Sequence, residues 1–179
     1  EVLAEQMRLK FGVAVAGSHS KTTTTSMIAA ILEEGGFDPT AIIGGLVKSI
    51  GSNSRLGKGE FLVAESDESD KSFLLLKPCI AVVTNIDFEH LSAYSSFAEL
   101  EQSFEQFAKS VPFYGLSVFC VDDPRVRDLA ARYPGRKVTY GFSPDAELRP
   151  ANIVHKKSIS TYDVLRNGEH LCSVTLHVP

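Results

Sequence analysis

Phe11-Gly-Val-Ala-Val-Ala-Gly-Ser-His-Ser-Lys-Thr-Thr-Thr-Thr25 begins as a run of apolar and small residues and passes at once into small polar residues, a lysine and four threonines. That order predicts a buried strand turning sharply into a helix. A polyphosphate requires inward-pointing backbone N–H groups, the positive end of a helix dipole, a mobile cation and a hydroxyl for Mg²⁺. The turn can supply each of them, with Lys21 as the cation and Thr22 as the hydroxyl. The strict nucleotide-loop spacing is not met, because Val15 stands where the first glycine belongs and Ser20 directly precedes the lysine. A strand-to-helix turn merely rich in Ser and Thr caps would read similarly, so the decision passes to the rest of the chain.

Beyond the turn, Met27, Ile28, Ile31 and Leu32 carry helical spacing from Lys21 to Glu34, and Gly35-Gly36 marks its end. Thr40 to Ile43 reads as a short strand, with Gly44-Gly45 and Gly51-Ser-Asn-Ser54 as a glycine-rich loop. Phe61-Leu-Val-Ala-Glu65 is another buried strand, running into Asp67, Glu68 and Asp70. A carboxylate at the C-terminal end of a core strand, beside a phosphate loop, is placed to hold Mg²⁺ directly or through water. That argument favours Glu65. For the other three acids a solvated loop is an adequate reading.

Cys79 to Thr84 forms a further core strand, followed by Asn85-Ile-Asp-Phe-Glu-His90. His90 could ligate a metal or donate to phosphate, although a lone loop histidine is more often structural. A guanine-specific switch protein would carry Asn-Lys-x-Asp here, and Thr84-Asn-Ile-Asp87 lacks the lysine. Phe97 to Val111 predicts an amphipathic helix whose aromatics belong to the core. Leu116 to Val121 is a strand, Asp122-Asp-Pro124 opens a short helix to Arg132, and Lys137 to Tyr140 returns as a strand. From Asp145 the pattern changes to short strands, with a hairpin turning at Asn167-Gly168. The expected fold is α/β, a P-loop-type, mostly parallel sheet with flanking helices, plus a small antiparallel lobe over 145–179.

The 179 residues are 44% hydrophobic, enough for a sizeable core, and the net charge of −4 leaves no basic footprint for nucleic acid. No apolar run approaches a membrane span. Cys79, Cys120 and Cys172 lack metal or disulfide spacing and read as buried thiols, which makes a cytoplasmic location the default. Both ends read as cut from a longer protein.

Three strand ends can now be compared together: Ala16 to Thr23, Ala64 to Asp70 and Thr84 to His90. The set resembles the central ATP-binding domain of the Mur ligases, which build the peptide stem of peptidoglycan. Gly44-Gly-Leu-Val-Lys48, Asp67 to Leu74, Val111-Pro-Phe-Tyr-Gly115, Val121-Asp-Asp-Pro124 and Thr139-Tyr-Gly-Phe-Ser143 extend the resemblance along the chain. Ser69, where the tripeptide-adding branch tends to have tyrosine, and the absence of lysine from Phe97 to Ala108 favour the alanine-adding branch.

The resemblance implies a phosphate cradle of Gly17, Ser18, His19, Ser20, Lys21, Thr22 and Thr23, with Asn85 near substrate or metal waters. It assigns Lys21 to the β- and γ-phosphates of ATP, Thr22 and Glu65 to Mg²⁺, and His90 to a second metal position, so that Lys21, Glu65 and His90 carry the chemistry. The implied reaction phosphorylates the lactyl carboxylate of UDP-N-acetylmuramate, and L-alanine then displaces phosphate from the acyl phosphate. Separate UDP-binding and C-terminal ligase domains are expected outside these residues, and the fragment alone is expected to be inactive. Ser20 departs from the family's glycine, while Ser18 and Glu89 depart more mildly from its threonine and aspartate. A related Mur-type ligase, whether tripeptide-adding or folate polyglutamylating, and a regulatory nucleotide-binding ATPase remain as alternatives.

Overall fold

Alternation along the first strand divides the molecule into two layers. The computed structural model describes residues 2–47, 52–87 and 93–177. Strand β1 (Phe11–Ala16) follows a short helix α1 (Val2–Arg8) and is buried from Gly12 onward. Helix α2 (Lys21–Glu34) leads to β2 (Thr40–Val47), β3 (Ser52–Arg55) and β4 (Phe61–Glu65). A 3₁₀ turn (Ser72–Leu75) precedes β5 (Ile80–Val83), α3 (Phe97–Ala108), β6 (Leu116–Cys120), α4 (Pro124–Arg132) and β7 (Lys137–Tyr140). Strands β8 (Leu148–Lys156), β9 (Ile159–Arg166) and β10 (Glu169–Leu176) complete the chain.

The strands form one ten-stranded sheet in the order β10-β9-β8-β7-β6-β5-β1-β4-β2-β3. From β2 through β8 every neighbouring pair is parallel, and only β2 with β3, β8 with β9 and β9 with β10 are antiparallel. The expected C-terminal lobe is therefore a continuation of the same sheet, joined where Tyr140 of β7 pairs with Leu148 of β8. The glycine-rich loop expected after Ile43 is a correction: β2 runs on to Val47 and pairs with β3. Pairing of Ile42 with Ser54 and of Val47 with Ser52 carries the strands past the glycines, where the register shifts, and outweighs poor local strand propensity.

Side chains of β1 point alternately to the two faces, as the strand period requires. Val13 and Val15 join Val63 and Val82 beneath Ile28 and Leu32 of α2. Ala14 and Ala16 face the larger core, where Phe73, Phe104, Phe107, Phe119 and Leu129 are fully buried. Each such phenylalanine contributes about 1.5–3 kcal/mol of burial. The helical spacing in α2 was only half a guide to burial, since Met27 and Ile31 are exposed while Thr25 and Ala29 are buried. Cys79 and Cys120 are partly buried, but Cys172 is exposed on β10, contrary to expectation.

The connection from β1 crosses through α2 to one half of the sheet, and β5, β6 and β7 build the other half. The C-terminal end of β1 is thus a topological switch point, the place where open α/β sheets part their loops to form a crevice.

Candidate functional site

The turn from β1 into α2 is held by the residues that leave β5. Ser18 N–H donates to the Asn85 carbonyl at 3.1 Å, and His19 N–H donates to Asn85 Oδ1 at 2.7 Å. Asn85 Nδ2 returns a bond to the His19 carbonyl at 3.1 Å, which the Thr84 hydroxyl also reaches at 2.9 Å. Ser18 Oγ accepts from Asp87 N–H at 2.8 Å, and His19 Nε2 lies 3.5 Å from Asp87 Oδ2. Asn85 therefore braces the turn itself. Gly17 makes the close approach possible: a Cβ there would lie 1.9 Å from Thr84 Oγ1, and its φ of 150° also disfavours a side chain.

Ser20 occupies the N-cap of α2 in the left-handed conformation, φ 64° and ψ 11°, without a side-chain capping bond. Glycine enters that region freely, and a residue with a Cβ pays about 1 kcal/mol to stay there. The departure from the family's glycine thus falls at the position where it carries a backbone cost. The amides of Lys21, Thr22 and Thr23 open the 14-residue helix, where N–H groups lack intrahelical partners. Thr23 is exposed.

Thr22 Oγ1 donates to the Glu65 carboxylate, 3.1 Å from Oε1 and 3.0 Å from Oε2. Gly44 N–H donates to the same Oε2 at 2.8 Å, and a Cβ on Gly44 would press within 3.1 Å of the carboxylate carbon. Lys21 Nζ donates to the Gly17 carbonyl at 2.7 Å and to Glu68 Oε1 at 3.1 Å. Lys21, Gly44, Glu65, Asp67 and Ser69 line a cleft of about 350 Å³ together with Ile42 and Ile43. Among the described residues no group of three or more His, Cys, Asp and Glu side chains is arranged to hold a metal ion. His90 lies outside the described residues.

Sequence reasoning brought Gly17 to Thr23, Glu65 and Asn85 to one place, and they are together. It missed the part played by Glu68. The solvated-loop reading fails for this residue, whose side chain is 1% exposed and ion-paired with Lys21 at 2.9 Å. Its carbonyl accepts the Tyr94 hydroxyl at 2.5 Å. Burial, reinforced by the nearby charges of Glu68, Glu99, Asp67 and Asp70, pushes the Tyr94 phenol up to about 12. Lys71 lies 4.9 Å from the centre of the Tyr94 ring and bonds Glu99 at 2.5 Å, tying this loop to the start of α3. The sequence signals for Glu68 were its place three residues beyond a strand end and its membership of the Asp67 to Leu74 block that extends the resemblance, neither of which gives it a role.

The model of the Mur ligase middle domain family matches residues 15–179. The chain is 51% identical over its whole length to a UDP-N-acetylmuramate–L-alanine ligase of Sorangium cellulosum, of which it covers 38%. A UDP-N-acetylmuramate–L-alanine ligase of Syntrophotalea carbinolica is 49% identical over the same 179 residues, which make up 39% of its length. The chain thus spans about two-fifths of the curated relatives it matches. Among solved structures, a UDP-N-acetylmuramate-alanine ligase of Thermotoga maritima superposes with a TM-score of 0.84 at 27% identity, covering 99% of this chain and 40% of that one. With this sheet order, the phosphate-type turn at its switch point and the match over nearly the whole length, the chain belongs to the Mur ligase middle domain family.

Proposed function

We propose that the chain binds Mg-ATP and serves as the middle domain of an ATP-dependent amide ligase that joins L-alanine to the lactyl carboxylate of UDP-N-acetylmuramate in the cytoplasm. The observation that carries this reading is the convergence of Lys21 and Glu65 on one cleft at the end of β1, with the Thr22 hydroxyl bonded to the Glu65 carboxylate. The relatives' names supply the substrates.

The donor set fits a small hard cation. A hydroxyl and a carboxylate already in contact are oxygen ligands of the kind Mg²⁺ takes, and such an ion keeps several waters and phosphate oxygens in its shell. Thr22 and Glu65 would hold it, with His90 at a second metal position. A bound Mg²⁺ would supply charge neutralisation at the phosphates.

The chain's own residues do the rest. Backbone amides at the start of α2 face the β- and γ-phosphates, and Lys21 follows the charge that develops as the γ-phosphoryl group moves to the lactyl carboxylate. A free carboxylate is a poor electrophile, and phosphorylation turns one of its oxygens into a leaving group. The alanine amine then forms the amide bond and phosphate departs. No side-chain nucleophile takes part. Gly44 and Thr22 keep Glu65 aimed at the cleft, while Asn85 and Thr84 hold the turn in shape.

Calorimetric titration with ATP, with and without Mg²⁺, tests the nucleotide part of this reading. Mg²⁺-dependent binding that is lost in Lys21→Ala is expected; binding unaffected by that substitution would refute the assignment of Lys21. Amide formation is read separately, by turnover of UDP-N-acetylmuramate, ATP and L-alanine in the longer ligase, and turnover with another amine in place of L-alanine would refute the substrate.

A further inference from the structure

The buried carboxylate of Glu68 is not used by the function proposed above, yet it holds that function's principal cation. We propose that Glu68 is an internal stand-in for phosphate: it occupies Lys21 until a polyphosphate takes the ammonium over, and so sets nucleotide affinity by competing for it. The proposal rests on the nucleotide-binding reading of the turn.

The geometry is that of a pair built to be exchanged. Lysine has three N–H donors, and here one goes to the Gly17 carbonyl at 2.7 Å and one to Glu68 Oε1 at 3.1 Å. Glu68 Oε2 lies 2.9 Å from the same nitrogen, so both carboxylate oxygens face the ammonium. The side chains are 13% and 1% exposed, so water screens the pair weakly. Other anchors act on the backbone of Glu68 and leave its carboxylate alone: its carbonyl accepts from Tyr94 Oη at 2.5 Å and from Lys71 N–H at 3.2 Å. The nearest neighbouring cation along the loop, Lys71, is committed to Glu99.

Two consequences follow from the charges. A phosphate that draws Lys21 away leaves Glu68 buried without its counter-ion, a state that opposes binding. Until then Glu68 keeps Lys21 against Gly17, over the turn, so the ammonium is already where the phosphates would arrive. Glu68 thereby trades affinity for a pre-placed cation.

The test compares Mg-ATP binding to the wild-type chain, Glu68→Gln and Asp70→Asn by calorimetry, with melting temperatures recorded alongside. Glutamine keeps the shape and a hydrogen-bond acceptor for Lys21 but abolishes the charge, so Kd is expected to fall on the order of tenfold. Asp70→Asn removes the same charge from an exposed position of the same loop, outside the cleft, and is expected to change Kd by less than about threefold. A role confined to folding would weaken binding, so a Kd for Glu68→Gln that is unchanged or raised overturns the proposal. Equal tightening by both variants also overturns it, as a general field effect. Absence of Mg-ATP binding in all three proteins would instead refute the nucleotide reading on which it rests.

Discussion

The hydroxyl of Thr22 touches both oxygens of the Glu65 carboxylate, at 3.0 and 3.1 Å, across 43 residues of sequence. The contact joins the first turn of α2 to the end of β4 and brings the two proposed Mg²⁺ ligands together. Thr22→Val keeps the side-chain shape and deletes the hydroxyl. The Mg²⁺-dependent part of ATP binding should weaken about tenfold or more, while stability changes by no more than ~1 kcal/mol. Titrations in Mg²⁺ and in EDTA separate the two effects; equal losses in both would remove Thr22 from the metal site.

Ser20 holds a left-handed backbone without a capping bond in return. Ser20→Gly should therefore raise stability by about 0.5–1 kcal/mol and tighten Mg-ATP binding, since strain and a side chain leave the phosphate turn together. Chemical denaturation reads the first change and calorimetry the second. A less stable Ser20→Gly would show that serine earns its place through a contact not among those described.

Gly17 and Gly168 both have positive φ, but their surroundings differ. A Cβ at Gly17 meets Thr84 Oγ1 at 1.9 Å, whereas none of the described atoms lies within 4 Å of one at Gly168. Gly17→Ala should cost more than ~2 kcal/mol, combining strain with a forced shift of Thr84, and Gly168→Ala only about 1 kcal/mol. Similar losses in urea denaturation would contradict the close packing of the phosphate turn.

Acid should act on the Lys71–Glu99 pair. Hydrogen bonds from Lys71 and Ser95 hold the Glu99 carboxyl at about 2, below its ordinary 4.5. A depressed value means that its stabilisation is full above pH 4.5, shrinks as pH falls toward 2 and is gone below that. Glu99→Gln should flatten this part of the stability profile. An unaltered slope between pH 4.5 and 2 would place the acid sensitivity elsewhere.

At the other end of the pH scale, Tyr94 keeps its proton up to about 12 because it is buried among carboxylates. Between pH 10 and 12 the unfolded chain releases a proton that the folded chain retains, so stability should fall as pH rises through that window. Tyr94→Phe should abolish the fall and cost roughly 1–2 kcal/mol at neutral pH, through the lost bond to the Glu68 carbonyl. Phenolate absorbance against pH, followed with the melting temperature, checks both.

Much of this arrangement was legible in the residues from Phe11 to Thr25. An apolar run ending in glycine and a helix start placed β1, α2 and the turn between them, and acids after Phe61 to Ala64 pointed to Glu65. Periodicity also gave α3, although it ends at Ala108 and not Val111, and the Asn167-Gly168 turn gave the last hairpin. Pairing across the sheet was not legible. Gly44 and Gly45 read as loop because strand propensity is local, while the pairs that carry β2 past them, Ile42 with Ser54 and Val47 with Ser52, come from β3, across a shift of register in which the two glycines lie. Glu68 read as solvent-facing because nothing near it in sequence says that Lys21, 47 residues earlier, lies against it.

The stitching of the turn by residues after β5 also bears on the order in which the chain acquires its shape. Ser18 and His19 depend for their bonds on Asn85 and Asp87, separations of 66 to 69 residues, whereas β8, β9 and β10 pair with immediate sequence neighbours. Closing long loops is entropically slow, and hairpins close fast. On a ribosome, the segment that gives this domain its chemistry must wait, fully synthesised but unmoulded, until some seventy further residues have emerged. Within this domain the nucleotide turn is written early and finished late.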